Sequence, residues 1–467
     1  MEHRYPKETN PDAVFTQETL DRLTTSLMSW QQGPGNFGGL HLHACWGETS
    51  VLTRRYHGQT IFTSKMLLEG AMRLFETTDH PRWKRLAEEI VSNILFLQAR
   101  NGGFIHAAAE AEPTYVPEIT CPIHQFMPIV ALLEYAAWAN ADADLQAQIR
   151  PAIDRHWEWS LKQLWRSGNA LQHRPLGFPG WCGVTNQDLV AIASLAMYAQ
   201  VYGDSRRFVE FGAPSLEVYL GPDYYHPQIG LMERGDNENF VERTAYYEWI
   251  LSMLETIRVC TGDDRLFEVT DNIGSHLFEA PFTWKDGLLH LSWGAQTLPD
   301  DKSSVPAWIR TPITLTAYPA LISHLHRFLS RHPDRTRAAQ VSELEGTLAS
   351  YVFADGTIPG ALGAKEPLFS IVTSPVSSLG LWLFLVERLG DKLRSPAYAP
   401  TGCIHRTNGN LVWKSNEHLW SIEKDGQRRF AGLKLNPGAV AIGPDETIAG
   451  ADFKELEHCD VRESIEQ

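Results

Sequence analysis

The chain has 467 residues, of which 43% are hydrophobic, and carries a formal net charge of -15. This composition supplies a large folded core and excludes an intrinsically disordered chain. The acidic balance and the absence of a basic stripe argue against nucleic acid and against an anionic membrane surface as partners. No run approaches the roughly 18 apolar residues needed to span a bilayer.

Two features of the sequence favour a cytoplasmic location. The first eight residues are polar and contain no apolar segment of the kind found in secretory signals. The six cysteines are widely scattered and none belongs to a C-x-x-C pair, which argues against a disulfide framework or a zinc ribbon. We therefore expect a protein of the reducing cytoplasm.

Helical periodicity alternates with Gly/Pro-rich connectors between residues 15 and 389. It predicts twelve helices near 16–31, 56–77, 81–99, 121–139, 144–165, 186–203, 205–220, 241–261, 263–278, 311–330, 334–352 and 370–389. Short links at 77–81, 202–205 and 260–264 contain the Gly or capping residues that tight αα-hairpins require. Longer, aromatic links such as 101–104 and 178–183 alternate with them. Six hairpins are the result if the last helix closes against the first.

The two helices of a hairpin differ in composition. Residues 189–199 are apolar nearly all round, as expected of a helix buried on both sides, whereas the helix that starts at Ser205 has a charged face. The same contrast separates 121–138 from 145–165. The sequence therefore predicts an all-α (α/α)6 toroid over residues 1–399, with an open α-solenoid as the alternative that shares its local pattern.

A different texture begins at about Pro400. Residues 411–415, 418–423 and 430–435 have the character of short strands, and Asn408-Gly409 and Asp425-Gly426 have that of tight turns. We predict a short β-rich appendage over residues 400–467, packed on the ring.

The N-terminal ends of the even-numbered, inner helices would all point into one pocket of a closed ring. Any helix N-terminus attracts polar residues, because its first N–H groups need partners. The whole set nevertheless exceeds what helix caps require. Its members are Tyr56 and His57 on the second helix; Glu118 and His124 on the fourth; Asn186, Gln187 and Asp188 on the sixth; Glu242, Arg243 and Tyr246 on the eighth; and Trp308 and Arg310 on the tenth.

The twelve-helix pattern, with the turn at 261–264 and the segment 98–104, resembles the six-hairpin glycosidase superfamily and related (α/α)6 carbohydrate-active enzymes. The resemblance covers about residues 16–390. These enzymes include unsaturated glucuronyl hydrolases, sugar 2-epimerases and toroidal polysaccharide lyases. The resemblance implies a toroid that acts on carbohydrates. No catalytic residue of any one of these families is assigned to a position of this sequence.

Glycoside hydrolysis needs two carboxyl groups, one protonated and one ionised. Four candidates lie at the starts of inner helices, namely Glu118, Asp188, Glu238 and Glu242. Asp188 opens a strongly apolar helix, so we expect it to face a partly dry space. Glu242 and Arg243 could instead form a mutual ion pair. Four tryptophans in links between hairpins could stack on a sugar ring, namely Trp46, Trp181, Trp293 and Trp308. The favoured function is hydrolysis of small oligosaccharides, including those with a uronic acid that Arg243 and Arg310 would bind.

Two alternatives remain open. Elimination or epimerisation beside a carboxylate would use His57, His124, Tyr56 or Tyr246 as the base, with an arginine to neutralise the acid group. A toroid without catalysis could bind a sugar or a peptide. Neither a metal nor another cofactor is predicted: His41, His43 and Cys45 alternate without an evident fourth ligand, and no P-loop or dinucleotide fingerprint is found.

Overall fold

A computed structural model describes the chain at residues 10–31, 34–35, 37, 61–104, 122–165, 183–235, 238–278, 282–285, 287–291, 294–295, 308–309, 313–314, 317–359, 361–362, 375–398, 404–408, 411–415, 419–433, 441–442 and 448–449. Over these ranges it contains twelve helices of eight or more residues. They are α1 Gln17–Met28, α2 Ile61–Thr78, α3 Pro81–Phe96, α4 Pro122–Ala137, α5 Ala143–Gln163, α6 Thr185–Tyr202, α7 Ala213–Leu220, α8 Tyr247–Thr261, α9 Arg265–Leu277, α10 Tyr318–Arg331, α11 Arg335–Ser350 and α12 Pro375–Leu389.

The even-numbered helices form a closed ring. α2 contacts α4, α4 contacts α6, α6 contacts α8, α8 contacts α10, α10 contacts α12, and α12 contacts α2. Outside the ring, α3, α5, α7, α9 and α11 each pack on the inner helix that precedes them, and α1 packs on α12. In an open solenoid each repeat contacts only its neighbours and the two ends do not meet. The toroid prediction is confirmed.

The seam between α12 and the start of the chain is tightly packed. Trp382 on α12 is fully buried, and its indole Nε1 donates a hydrogen bond to Thr24 Oγ1 on α1 at 3.0 Å. Gly70 on α2 leaves space for this indole, since a Cβ atom there would lie 2.0 Å from the Trp382 ring. The rings of Phe15 and Phe384 meet edge to face at 5.2 Å. Aromatic packing thus joins helices that are far apart in sequence.

Burial separates the two layers of helices. On α6 every residue from Thr185 to Tyr198 is buried, because the helix has neighbours on both sides. On α3 the buried residues recur every three or four positions and form one stripe. The C-cap residues of α6 and α8 are Gly203 and Gly262, with φ of 66° and 73°. Glycine adopts this left-handed conformation most easily, and it begins the tight turn to the next helix.

Two inner helices begin later than the periodicity predicts. The helix predicted over 241–261 begins at Tyr247, after a strand that ends at Val241 and a 3-10 turn at Thr244–Tyr246. The helix predicted over 311–330 begins at Tyr318, with Pro319 in its first turn. Trp308 lies in a two-residue strand, so the prediction that Trp308 opens the tenth helix is wrong, and Arg310 lies outside the described residues. Strand pairing replaces helix at both places: the strand before Tyr247 pairs with its neighbour in a hairpin, and Ile313–Thr314 pairs with the distant Ala361–Leu362.

Short antiparallel strands occupy several links between hairpins. β1 Tyr225–His226, β2 Leu231–Gly235 and β3 Glu238–Val241 form a three-stranded sheet ahead of α8. β4 Phe282–Lys285 pairs with β5 Leu288–Leu291, β6 Gly294–Ala295 with β7 Trp308–Ile309, and β8 Ile313–Thr314 with β9 Ala361–Leu362.

The C-terminal part of the chain contains strands, as expected from its sequence. They are β10 Ile404–Asn408, β11 Leu411–Ser415, β12 Leu419–Lys424, β13 Gln427–Leu433, β14 Ala441–Ile442 and β15 Ile448–Ala449, and they pair in chain order into one six-stranded antiparallel sheet. The boundary at residues 399 and 400 and the packing of this sheet on the ring stay predictions.

Candidate active site at the start of α6

The first turn of α6 carries three polar residues that are all buried. Asn186, Gln187 and Asp188 are 3%, 7% and 1% exposed. The N-cap residue is Val184, so no side chain caps the helix.

Asp188 is held in place by a tyrosine from the outer layer. Tyr219 on α7, itself fully buried, donates a hydrogen bond from its hydroxyl to Asp188 Oδ2. The Tyr219 ring lies against that of Tyr224, with centroids 4.7 Å apart. The carboxyl group is therefore fixed in orientation in a largely apolar setting, an arrangement that suits a group exchanging a proton with a substrate.

Asn186 and Gln187 present hydrogen-bond acceptors beside this carboxyl. Among the described residues, Asn186 Oδ1 and Gln187 Oε1 find no hydrogen-bond partner although both atoms are buried. Buried polar atoms of proteins are nearly always paired, so two unpaired acceptors in consecutive residues require a reason. The hydroxyl groups of a bound sugar are donors of the right kind.

Strand β2 connects the start of α6 with the segment ahead of α8. Thr185 Oγ1 donates to the Glu233 carbonyl at 2.6 Å, and the Glu242 amide donates to the Met232 carbonyl at 2.7 Å. At the end of β2, a Cβ atom on Gly235 would lie 1.9 Å from the Gly183 carbonyl oxygen, so the backbones approach as only glycine allows. Asp188 and Glu242, predicted from separate helices, thus belong to one structural unit.

Glu242 is a buried carboxylate in an ion pair. It is fully buried, its Oε1 lies 3.4 Å from Arg234 Nη1, and the same oxygen accepts from the Arg243 amide at 3.0 Å. The Arg234 guanidinium also lies over the Tyr246 ring, 5.5 Å from its centroid. Arg234 is thus an ion-pair partner of Glu242 that the sequence did not predict.

Other polar groups of the sheet were not anticipated. His226 Nε2 and Glu233 Oε1 are 2.8 Å apart, and both residues are buried. Tyr247 accepts the Met232 amide at 3.0 Å and so ties β2 to α8, and burial raises the pKa of its phenol. The sequence signal that could have revealed these groups is the adjacent charged pair Glu233 and Arg234, which directly follows two apolar residues in β2.

His124 lies where the sequence predicts it, in the first turn of α4, which packs against α6. It is 6% exposed. The next residue, Gln125, binds the Phe104 backbone through two hydrogen bonds of 2.7 and 2.9 Å and so fastens the link before α4.

The remaining predicted residues cannot be placed against this site. Trp46, Tyr56, His57, Glu118, Trp181, Trp293 and Arg310 lie outside the described residues, and the side chain of Trp308 does as well. Within the described ranges no group of three or more His, Cys, Asp and Glu residues could hold a metal ion, and His41, His43 and Cys45 are outside them. None of the described helices is long and apolar enough to cross a membrane.

Solved structures show what this architecture resembles. A sugar epimerase from a ruminal bacterium has a TM-score of 0.53 at 12% identity, over 71% of this chain and 88% of its own. A possible member of the GH105 family from Salmonella enterica has a TM-score of 0.51 at 14% identity, over 82% and 96%. An inactive variant of an α-1,6-mannanase from Salegentibacter, in complex with α-1,6-mannotetrose, has a TM-score of 0.50 at 12% identity, over 79% and 98%.

The chain has the (α/α)6-toroid fold. These similarities support the toroid fold that the sequence predicts. No protein-family model matches the sequence. No curated protein matches it either.

Proposed function

We propose that this protein is a carbohydrate-active enzyme, and specifically a glycoside hydrolase that cleaves small oligosaccharides. The observation that carries the proposal is the start of α6, where Asp188 is buried and oriented by Tyr219 beside the unpaired amide oxygens of Asn186 and Gln187. Solved structures with this fold support it, since one of them binds mannotetrose.

In this proposal Asp188 is the acid/base group. Its carboxyl proton passes to the glycosidic oxygen as the bond to the anomeric carbon breaks, and the hydroxyl group of a water molecule adds to that carbon. The second proton of the water restores the carboxyl group. Glu242, paired with Arg234, is the second carboxyl of this proposal and supplies negative charge to the cation-like transition state.

Asp188 is a cleaner probe of the mechanism than Glu242. Removing the charge of Glu242 would leave Arg234 buried without its carboxylate, and breaking a buried ion pair typically costs about 3–5 kcal/mol. Lost activity in Glu242→Gln would therefore mix catalysis with folding. Asp188→Asn preserves the size of the side chain and an acceptor for Tyr219.

The test is turnover of a panel of oligosaccharides, with and without uronic acid, by the wild-type protein. Hydrolysis predicts new reducing ends without new ultraviolet absorbance. An unsaturated, ultraviolet-absorbing product would instead identify a lyase, and an isomer of unchanged length an epimerase. Binding without any turnover would show a sugar-binding toroid and refute the enzymatic proposal.

A cytoplasmic location is a further part of the proposal. Its support is the scattered cysteines and the free thiol of Cys260, which donates to Gln200 Oε1 at 3.0 Å. Fractionation of cells that express the full chain tests it, and recovery of the protein outside the cytoplasm would contradict it.

A further inference from the structure

A cavity lies near the axis of the ring, between α2, α8, α10 and α12. We name it the axial cavity; it is lined by Lys65, Glu69, Glu248, Trp249, His324 and Phe384, among others, and encloses about 560 Å³ including the part open to solvent. Neither Asp188 nor Glu242 lines it.

The mouth of the axial cavity faces the rim at which the inner helices end. The side chains of Arg73, Arg327 and Glu387 are 43%, 49% and 42% exposed, whereas that of Lys65 is only 11% exposed. Arg73 lies about 18 Å along α2 from Ile61, at a rise of roughly 1.5 Å per residue. Asp188 is in the first turn of α6, and α6 contributes no residue to the lining of the axial cavity.

Each cation of the cavity already has a carboxylate partner. Lys65 Nζ lies 2.7 Å from Glu69 Oε2 and 3.3 Å from Glu134 Oε1 on α4. Arg73 Nη2 lies 2.6 Å from Glu69 Oε1. Arg327 Nη1 lies 3.2 Å from Glu387 Oε1, and the Ser323 hydroxyl donates to Glu387 Oε2 at 3.0 Å. Among the described groups three cations thus meet three carboxylates, namely Glu69, Glu134 and Glu387.

Glu248 is the fourth carboxyl and has no partner. It is 7% exposed, lines the cavity from the first turn of α8, and forms neither an ion pair nor a side-chain hydrogen bond with any described residue. Burial raises its pKa to about 8, and Glu69 adds to the shift while Lys65 opposes it. The group is consequently protonated at neutral pH unless a cation joins it.

His324 does not provide that cation. Arg327 donates to His324 Nδ1 at 3.0 Å, which leaves the ring proton on Nε2, 3.1 Å from Ser252 Oγ. Burial lowers the pKa of His324 to about 3, so the ring is neutral. Trp249 and Phe384 give the same cavity two aromatic walls, and aromatic rings attract ammonium groups.

We propose that the axial cavity binds a small hydroxylated ammonium compound, such as an amino sugar or an amino sugar alcohol. Its positive charge pairs with Glu248, its apolar face lies against Trp249 and Phe384, and its hydroxyl groups bind the polar side chains of the wall. Binding of this ligand ionises Glu248, which then has the positive charge of the ligand as its partner. The site is separate from Asp188 and does not depend on the proposed hydrolase activity.

Calorimetric titration of the full chain with N-methyl-D-glucamine at pH 7 tests the proposal, and sorbitol is the neutral control. Binding of the amine and not of sorbitol is expected. Because Glu248 ionises on binding while the amine stays charged, about 0.9 proton is released at pH 7 and about 0.5 at pH 8, as measured in buffers of different ionisation enthalpy. This readout requires no variant.

Glu248→Gln keeps the shape of the side chain and is expected to weaken binding of the amine at least tenfold and to abolish proton release. Glu255→Gln is the matched control, since Glu255 is on the same helix but pairs with Arg258 at 2.7 Å outside the cavity. Thermal melting verifies that both variants are folded.

Four outcomes would overturn the proposal. They are no binding of the amine up to about 50 mM, equal binding of sorbitol, unchanged affinity in Glu248→Gln, and a Glu248-dependent heat with potassium chloride equal to that with the amine. The last would identify a site for an inorganic cation.

Discussion

Replacing Glu248 by glutamine is expected to stabilise the protein increasingly as the pH rises. The carboxyl is 7% exposed, and burial raises its pKa from 4.5 to about 8. Between these values the folded state binds more protons than the unfolded state, so the free energy of unfolding falls with pH by about 1.4 kcal/mol per unit at most. The loss grows from below about 1 kcal/mol at pH 5 to about 5 kcal/mol at pH 9.

Glutamine is uncharged at every pH and avoids this loss. The difference in unfolding free energy between Glu248→Gln and wild type should therefore widen by about 4 kcal/mol between pH 5 and pH 9. Urea unfolding at pH 5, 7 and 9 measures it, with Glu255→Gln as the control. Burial also raises the pKa of Glu134. The resulting change of unfolding free energy with pH is the same in Glu248→Gln and in wild type, so it cancels in the difference. Parallel stability curves for the variant and wild type would refute the reasoning.

Three further predictions concern the ring and the site. Gly70→Ala would force a Cβ atom within 2.0 Å of the Trp382 ring and should cost about 1–3 kcal/mol, seen as a lower thermal midpoint; an unchanged midpoint would contradict the packing of the seam. Burial lowers the pKa of His156 to about 3. The neutral imidazole therefore contributes fully to the free energy of unfolding above pH 6.5, and this contribution is lost as the pH falls toward 3. The thermal midpoint of His156→Gln should consequently fall less between pH 6.5 and pH 3 than that of the wild-type protein. Tyr219→Phe removes the hydrogen bond to Asp188, and it should shift the pH profile of kcat and lower kcat/KM by roughly fivefold to thirtyfold; an identical pH profile would show that Tyr219 does not position the carboxyl.

The layered ring could be predicted because its determinants are local. The apolar run after Asp188 and the one-sided stripe of α3 reveal inner and outer helices from sequence alone. The packing that closes the ring could not be predicted, because Gly70 and Trp382 are distant in sequence and a glycine within a helix does not reveal which indole fills its space.

The site was predictable in part for the same reason. Asn186, Gln187 and Asp188 stand out because they directly precede an apolar helix, whereas Tyr219 looks like any aromatic residue of an outer helix until the fold brings it to Asp188. Arg234 was missed because β2 has only five residues and pairs with strands that periodicity assigned to other elements. Strand pairing also displaced the predicted starts of α8 and α10. β8 pairs with the distant β9, which local periodicity cannot reveal, whereas β3 pairs with the neighbouring β2.

The most direct test of the enzymatic account is the activity of Asp188→Asn on whichever oligosaccharide the wild-type protein cleaves. Asp154→Asn is the matched control, because Asp154 on α5 also accepts a hydrogen bond from a tyrosine hydroxyl, that of Tyr198 at 2.9 Å. Tyr198 lies toward the end of α6, away from the turn that carries Asp188. We predict that Asp188→Asn lowers kcat at least about 100-fold with an unchanged thermal midpoint, while Asp154→Asn stays within about twofold of wild type. Full activity in folded Asp188→Asn would contradict the account.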